Sequence, residues 1–358
     1  MNNDTTAQAI VSNWEQLPTF ELRQLPARLS KQLWVNPTEF LLLTHALLLA
    51  EWALNVARRW RPCLPEGSRR GPKAVYQDRS ILVMALLQVA WQLSYEEIVD
   101  YLRARPEAAD AAGFAPGRVI SVGQYWERRR RLGVLPFWLF FVGMVWQLVC
   151  MGVIVGKDVI LDATTQAVWF HADPDADWSF PKPGKGSTWG YKVHTLMCRF
   201  SDLPIMFLIT PANRQESLLA IPLLVLAVVC FGLTFTIVRA DAGYFTYPIL
   251  NFIRTVLQAS FMIDYNLRRQ GKRFLATRFF CSQWRFHLRP RAAIERLFAR
   301  AKRYFGLESA HWAGLTAAYQ HTALVYTTML AVALIAHRFQ RPELALARSQ
   351  VLAVKTLA

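Results

Sequence analysis

The sequence predicts an α/β protein in which a helical N-terminal region precedes a mixed sheet covered by helices. Three observations carry this. Residues 1 to about 150 show helical periodicity with capping signals, residues 153–213 hold three successive apolar runs rich in β-branched and aromatic residues, and residues 214–305 alternate helical with strand-like segments. Strands in direct succession pair antiparallel, and strands separated by a helix return parallel, so both patterns in one chain give a mixed sheet.

The helical region opens with "TEFLLLTHALLLAEWALNVARRW", passes a Pro/Gly/Arg-rich linker at 61–73 and continues in "DRSILVMALLQVAWQL". In "SYEEIVDYLRARP", Ser94 and Glu97 have the spacing of a capping box, and Pro106 closes the segment. In "SVGQYWERRRRLG", Arg128, Arg129, Arg130 and Arg131 stand beside Tyr125 and Trp126, a set suited to phosphate contacts and stacking on bases. The plain alternative for these arginines is a solvated helix end.

The strands expected next are "KDVILDATTQAVWF", "WGYKVHTLMCRF" and "LPIMFLITPAN", with "FPKPGKGSTWG" leading into the second. A helix in "RQESLLAIPLLVLAVVC" follows, then a strand ending at Asp241, a helix in "YPILNFIRTVLQ", a strand "ASFMIDYN" and a helix across "PRAAIERLFARAKRYFGL". This divides the chain into a helical region at 1–150, a mixed-sheet core at 151–310 and a C-terminal helical segment at 311–358 that packs on the core. No internal repeat is visible.

Two uncharged runs, 132–156 and 217–238, are long enough to span a bilayer, which makes a multi-spanning membrane protein the principal alternative class. Both runs break, however, at Gly152 and at Gly232, into a helix followed by a strand-like segment. The expectation is therefore no membrane. Against 25 Asp and Glu stand 41 Lys and Arg, a net charge of +16, which predicts a polyanionic partner, nucleic acid first. Cys63, Cys150, Cys198, Cys230 and Cys281 are scattered, which suggests neither a zinc site nor a disulfide framework. No secretory signal opens the sequence, and a reducing cytoplasm, close to the nucleoid, is the expected location.

In so basic a chain the acids at strand ends stand out. Asp162 ends the first strand in "VILDATT", and Asp241 ends the fourth in "VRADAG". If those strands are neighbours, the two carboxylates reach a common divalent cation, and all-oxygen ligation suits Mg²⁺ or Mn²⁺. A third acid is then expected, and Glu295 is the candidate. At about 100° per residue, Ile294, Leu297, Phe298, Ala301 and Phe305 form a buried stripe, with Arg291, Glu295 and Lys302 on its flank and Arg296, Arg300 and Arg303 on the far side. The plain alternative is that Glu295 only pairs with Arg291. Asp264, at the end of "FMIDYN", is the rival ligand.

The motifs "DATT", "GYKVH", "TPANRQES", "ADAGY" and "RAAIERLFARAKRYFGL", in this order, resemble the DDE transposases of bacterial insertion sequences, in particular the fourth insertion-sequence family and its relatives. The resemblance covers roughly residues 75–340, and "SYEEIVDYLR" looks like that family's N-terminal DNA-binding part. It implies a ribonuclease-H-like core with the triad Asp162, Asp241 and Glu295. The implied chemistry is cleavage of double-stranded DNA at the transposon ends and strand transfer with two Mg²⁺ or Mn²⁺ ions, by a dimer on DNA and without a covalent intermediate. Arg291, Glu295 and Lys302 match the family's signature around the glutamate, whereas Leu288 replaces its tyrosine. A catalytically inactive DNA-binding relative is the remaining alternative.

Among other residues, Lys192 and His194 alternate along "GYKVH", and Lys192 is expected to contact phosphate while His194 is open between site and core. Asp173, Asp175 and Asp177 read as solvated turn residues, and Arg268, Arg269, Lys272, Arg273 and Arg278 as a DNA-facing loop.

Overall fold

The computed structural model describes residues 37–59, 76–115, 117–180, 186–264, 286–308 and 312–351. The linker at 61–73 and the basic residues Arg268, Arg269, Lys272, Arg273 and Arg278 lie outside them. The chain divides into two compact units, 1–144 with 323–358, and 145–322.

The first unit begins with α1 (Pro37–Arg59), α2 (Asp78–Trp91), α3 (Tyr95–Ala104), α4 (Pro106–Ala111), α5 (Val122–Leu132) and the start of α6 (Leu135–Cys150). Helix α2 is apolar all round, and every residue from Ser80 to Ala90 is buried, as befits a central helix with α1, α3 and α5 against it. The capping box of α3 forms as the sequence predicts: the Ser94 hydroxyl accepts from Glu97 N and the Glu97 carboxylate accepts from Ser94 N. Pro106 then starts α4 at a position where its missing N–H costs nothing.

Helix α5 corrects one expectation. Tyr125 and Arg129, one turn apart, both point inward, and both donate to Gln88 Oε1, at 2.8 and 2.9 Å. Arg129 is 7% exposed, with Tyr95 and Phe137 rings against its guanidinium. It is a core arginine and not one available to a phosphate, because helical spacing cannot put four consecutive side chains on one face. Arg128 is half-buried and donates to Tyr76 O and Asp78, while Arg130 and Arg131 are exposed.

The second unit is built on one six-stranded sheet. Its strands are β1 (Asp158–Ala167), β2 (Asp177–Trp178), β3 (Trp189–Cys198), β4 (Leu203–Pro211), β5 (Ile237–Ala240) and β6 (Ser260–Ile263). The order is β2-β3-β1-β5-β6, with β4 also on β3. Strands β1, β3 and β4 pair antiparallel, whereas β1, β5 and β6 pair parallel. This is the mixed sheet expected from the pattern, and its first strand neighbours the strand that ends at Asp241. Strand β1 crosses β3 so closely at Gly190 that a Cβ there would sit 2.1 Å from Gln166 O. Helices α7 (Ala220–Phe231), α8 (Tyr247–Thr255) and α9 (Ala293–Phe305) pack on β3 and β4, on β6 and on β1 respectively.

The uncharged runs break where the sequence places the breaks. Gly152 and Gly232 both adopt positive φ, 72° and 62°, which ends α6 and α7 ahead of β1 and β5. Helix α10 (Leu315–Arg338) is the one described helix long and apolar enough to cross a membrane, and 94% of its apolar window is buried inside the protein. Its residues from Ala323 onward, with α11 (Arg348–Val351), belong to the first unit. Within that unit the Tyr326 ring lies 6.2 Å from Phe141, and Arg348 Nε donates to Ala90 O at 3.0 Å.

Candidate active site

The site begins with the β1–β5 register. Ile160 is the partner of Arg239, so two residues further on Asp162 and Asp241 stand side by side; Asp241 lies just past β5, whereas Asp162 lies within β1, which runs on to Ala167 along β3 and does not end at Asp162 as the sequence suggests. One step back on the same side, Arg239 donates from Nε and from a terminal nitrogen to both oxygens of Asp158, at 2.7 and 2.9 Å. Arg239 also donates to His287 O. This buried clamp locks the two strands against slippage, and so fixes the spacing of the acids beyond it.

Past Asp241 the chain turns through a short 3-10 segment, Ala242–Tyr244, capped by the Asp241 carboxylate, whose Oδ1 accepts from Gly243 N at 2.8 Å. A Cβ on Gly243 would stand 3.0 Å from that same oxygen, so the "DAG" sequence leaves space around the carboxylate. A second 3-10 segment, Glu216–Leu219, packs against it. This brings Glu216 to the two aspartates: one carboxylate oxygen from each of Asp162, Glu216 and Asp241 lies within 4.8 Å of the other two. Two full charges at that distance repel by on the order of 3 kcal/mol at an effective dielectric constant of about 20. The consequence appears in Asp162, whose carboxyl is pushed up to about 7, first by burial and then by Asp241 and Glu216, against the Ala163 N–H and Arg291.

Two further groups face this cluster. Lys192 on β3 is nearly buried; its Nζ donates to Arg214 O at 3.0 Å and stands 3.3 Å from Glu216 Oε1. Tyr244 is 1% exposed, and its hydroxyl has no hydrogen-bond partner among the described residues. Burial, followed by Glu216, Asp162 and Asp241, raises that hydroxyl well above its ordinary range. Oxygen donors, a concentration of negative charge and an orphaned hydroxyl suit a hard divalent cation with oxygen-rich ligands.

Residues 156–331, which include all of these acids, match the family model of the transposase DDE domain. The chain carries a transposase DDE domain. Its mixed sheet and helices agree with the ribonuclease-H-like core of such transposases. No curated protein matches the chain in sequence.

The DDE domain places the other predicted residues as follows. The buried stripe of α9 is Ile294, Leu297, Phe298, Ala301 and Phe305, as the periodicity predicts, with Ala293 added. Glu295 lies on the flank with its side chain 66% exposed, 3.7 Å from an Arg291 nitrogen. Arg291 reaches the other way to Asp162 Oδ2 at 3.4 Å, so its guanidinium stands between Glu295 and the cluster. Lys302 pairs with Glu308. On the far side, Arg296 and Arg300 are held by Asp202 in the β3–β4 turn, which staples α9 to the sheet.

Lys192 lies beside the acids as the sequence suggests, but its ammonium is engaged by Glu216 and Arg214 O and not by solvent. His194 proves to be a core histidine: it is fully buried, bonded to Thr210 Oγ1 at 2.9 Å and lowered to about 3 by burial and by Lys192. Asp173 is not a solvated turn residue. It is 2% exposed and accepts from Tyr191 Oη, Gly314 N and Asp175 N, while Asp175 accepts from Leu315 N at the start of α10. Asp264 is exposed at the end of β6 and stands outside the only acid cluster of metal-binding geometry among the described residues. The residue that sequence reasoning missed is Glu216. It sits within the quoted motif "TPANRQES", and its signal was an acid in a motif shared with the family.

Proposed function

We propose that this transposase is an insertion-sequence enzyme of the fourth family, binding double-stranded terminal inverted repeats, cutting the element's ends and joining them to target DNA, as a dimer on DNA. Asp162, Asp241 and Glu295 are read as the acids that hold Mg²⁺ or Mn²⁺, with two ions taking part. The observation that carries this reading is the convergence of Asp162, within β1, and Asp241, just past the end of the neighbouring parallel strand β5, in a transposase DDE domain. Divalent cations, when bound, supply Lewis-acid stabilisation of the charge that develops on a phosphate under in-line attack.

The chain's own residues have separate tasks. The Arg239–Asp158 clamp holds β1 and β5 in register, so the aspartates meet the phosphate without reorganisation. Arg291, at the edge of the cluster, is suited to take a phosphate oxygen once DNA displaces it from Asp162, which frees Glu295 to turn inward. Arg130 and Arg131, exposed on α5, and Lys302 on α9 offer charge to the DNA backbone.

The DNA flanking this reading frame should carry imperfect inverted repeats. In a gel-shift titration the protein should retain those ends in preference to scrambled DNA of equal length. Equal retention of both would contradict the proposed role at transposon ends.

A further inference from the structure

The acid cluster does not coincide with the acids expected to form the triad. Asp162 and Asp241 already have a third carboxylate beside them, Glu216, whereas Glu295 is turned out to solvent with Arg291 between it and the cluster. An acid cluster alone does not make a binding site. Here a second observation points to an occupant: the Tyr244 hydroxyl is buried and without a partner among the described residues, and the carboxylates of Glu216, Asp162 and Asp241 are the charged groups that act on it. A buried hydroxyl without a partner is costly, and folds retain one where a ligand completes its hydrogen bonding.

We infer that Asp162, Asp241 and Glu216 form a pre-assembled site for one hard divalent cation, filled before DNA arrives and without Glu295, and that the Tyr244 hydroxyl is the donor held ready for the oxygens of the filled site. The inference rests on the reading that Asp162 and Asp241 bind a cation, and it adds Glu216 as a ligand and Tyr244 as a positioning residue. The structure favours this order for three reasons. All three carboxylates are half-buried and fixed: Asp162 by Ala163 N, Asp241 by Gly243 N and Glu216 by Lys192. Their donor atoms already stand close enough to share one ion. Glu295, by contrast, has to leave Arg291 and reorient, and an incoming phosphate is the group suited to take Arg291 from it.

The test is Mn²⁺ binding to the full-length chain in the absence of DNA, followed by calorimetry and by the Mn²⁺ electron paramagnetic resonance signal, with the thermal midpoint read with and without the ion. Wild type should bind one tight Mn²⁺. Glu216→Gln should weaken that binding by more than about tenfold, as Asp241→Asn does, whereas Glu295→Gln should change it by less than about threefold. Tyr244→Phe should leave the cation-free midpoint equal or higher, since it removes an unsatisfied buried hydroxyl. It should nevertheless shrink the rise that Mn²⁺ produces, a combination a purely structural tyrosine would not give. If wild type and Asp241→Asn bind Mn²⁺ equally, or neither binds, the underlying cation reading fails and this inference with it. If Asp241→Asn loses the ion while Glu216→Gln keeps it, or Glu295→Gln loses it as fully, the cation reading stands and the assignment of Glu216 is overturned.

Discussion

Replacing Asp162 by asparagine should make the cation-free protein more stable at pH 8 and leave its stability nearly unchanged at pH 4. In the folded protein the Asp162 carboxyl titrates at about 7, against an ordinary value of 3.8, because it is buried beside Asp241 and Glu216. A raised folded pKa means that the folded state holds its proton more tightly. The stabilisation is therefore complete below about pH 4 and is lost as pH rises toward 7. Each pH unit between the two values corresponds to ~1.4 kcal/mol, so ionising Asp162 costs the folded state up to about 4 kcal/mol. Partial solvent access and relaxation around the charged carboxylate reduce this, and a gain of about 2–3 kcal/mol at pH 8 is expected for the variant. The asparagine oxygen can keep the hydrogen bond from Ala163 N, so the substitution removes charge with little change of shape. Thermal unfolding of both proteins in chelator at pH 4 and pH 8 reads the difference; in a unit of this size it amounts to roughly 2–4 °C of midpoint per kcal/mol. A variant less stable than wild type at pH 8, or one stabilised equally at both pH values, would refute the electrostatic account of the site.

Other predictions follow from contacts away from the acids. Alanine at Arg130 and Arg131 should reduce the salt dependence of DNA binding by about two counterions, read from the slope of log affinity against log salt. Alanine at Arg129 should instead lower unfolding stability by about 2–3 kcal/mol by removing its hydrogen bond to buried Gln88 and its packing on the Tyr95 and Phe137 rings. Asp173→Ala leaves Tyr191 Oη, Gly314 N and Asp175 N without their acceptor, and should cost about 3 kcal/mol by urea denaturation. Arg239→Met strips Asp158 of its bidentate partner and should cost about 3–5 kcal/mol, part of which Asp158→Leu in the same chain should restore.

The parts of this structure that were legible in the sequence are those that periodicity encodes. The strand and helix order, the capping box at Ser94 and Glu97 and the buried stripe of α9 all follow from repeating patterns or fixed spacings. The neighbouring of Asp162 and Asp241 was legible because each acid follows a short apolar run and parallel pairing places equivalent positions together, although β1 runs on past Asp162 to Ala167. Glu216 was not, since it sits on an irregular segment after β4, where nothing periodic tells which way a side chain points. The burial of Arg129 was within reach, because it follows Tyr125 by four residues on the inward face of α5, but a run of four arginines reads first as surface charge. Asp173 looked like a turn residue because its acceptors' partners, Tyr191 and Gly314, are remote in sequence. The allocation of residues 323–358 to the first unit depends on similarly long-range packing, such as Tyr326 on Phe141, that no local pattern announces.

The most direct measurement is strand cleavage by Asp241→Asn, on linear DNA carrying the element's ends in Mg²⁺, with end binding measured on the same samples. Asparagine keeps the shape of the side chain and loses the charge that a cation site at the β1–β5 end requires. Cleavage and strand transfer should fall to background while binding to the ends persists. A variant that still cuts with Mg²⁺, or one that loses binding, folding and cleavage together, would contradict the assignment of Asp241 to the active site.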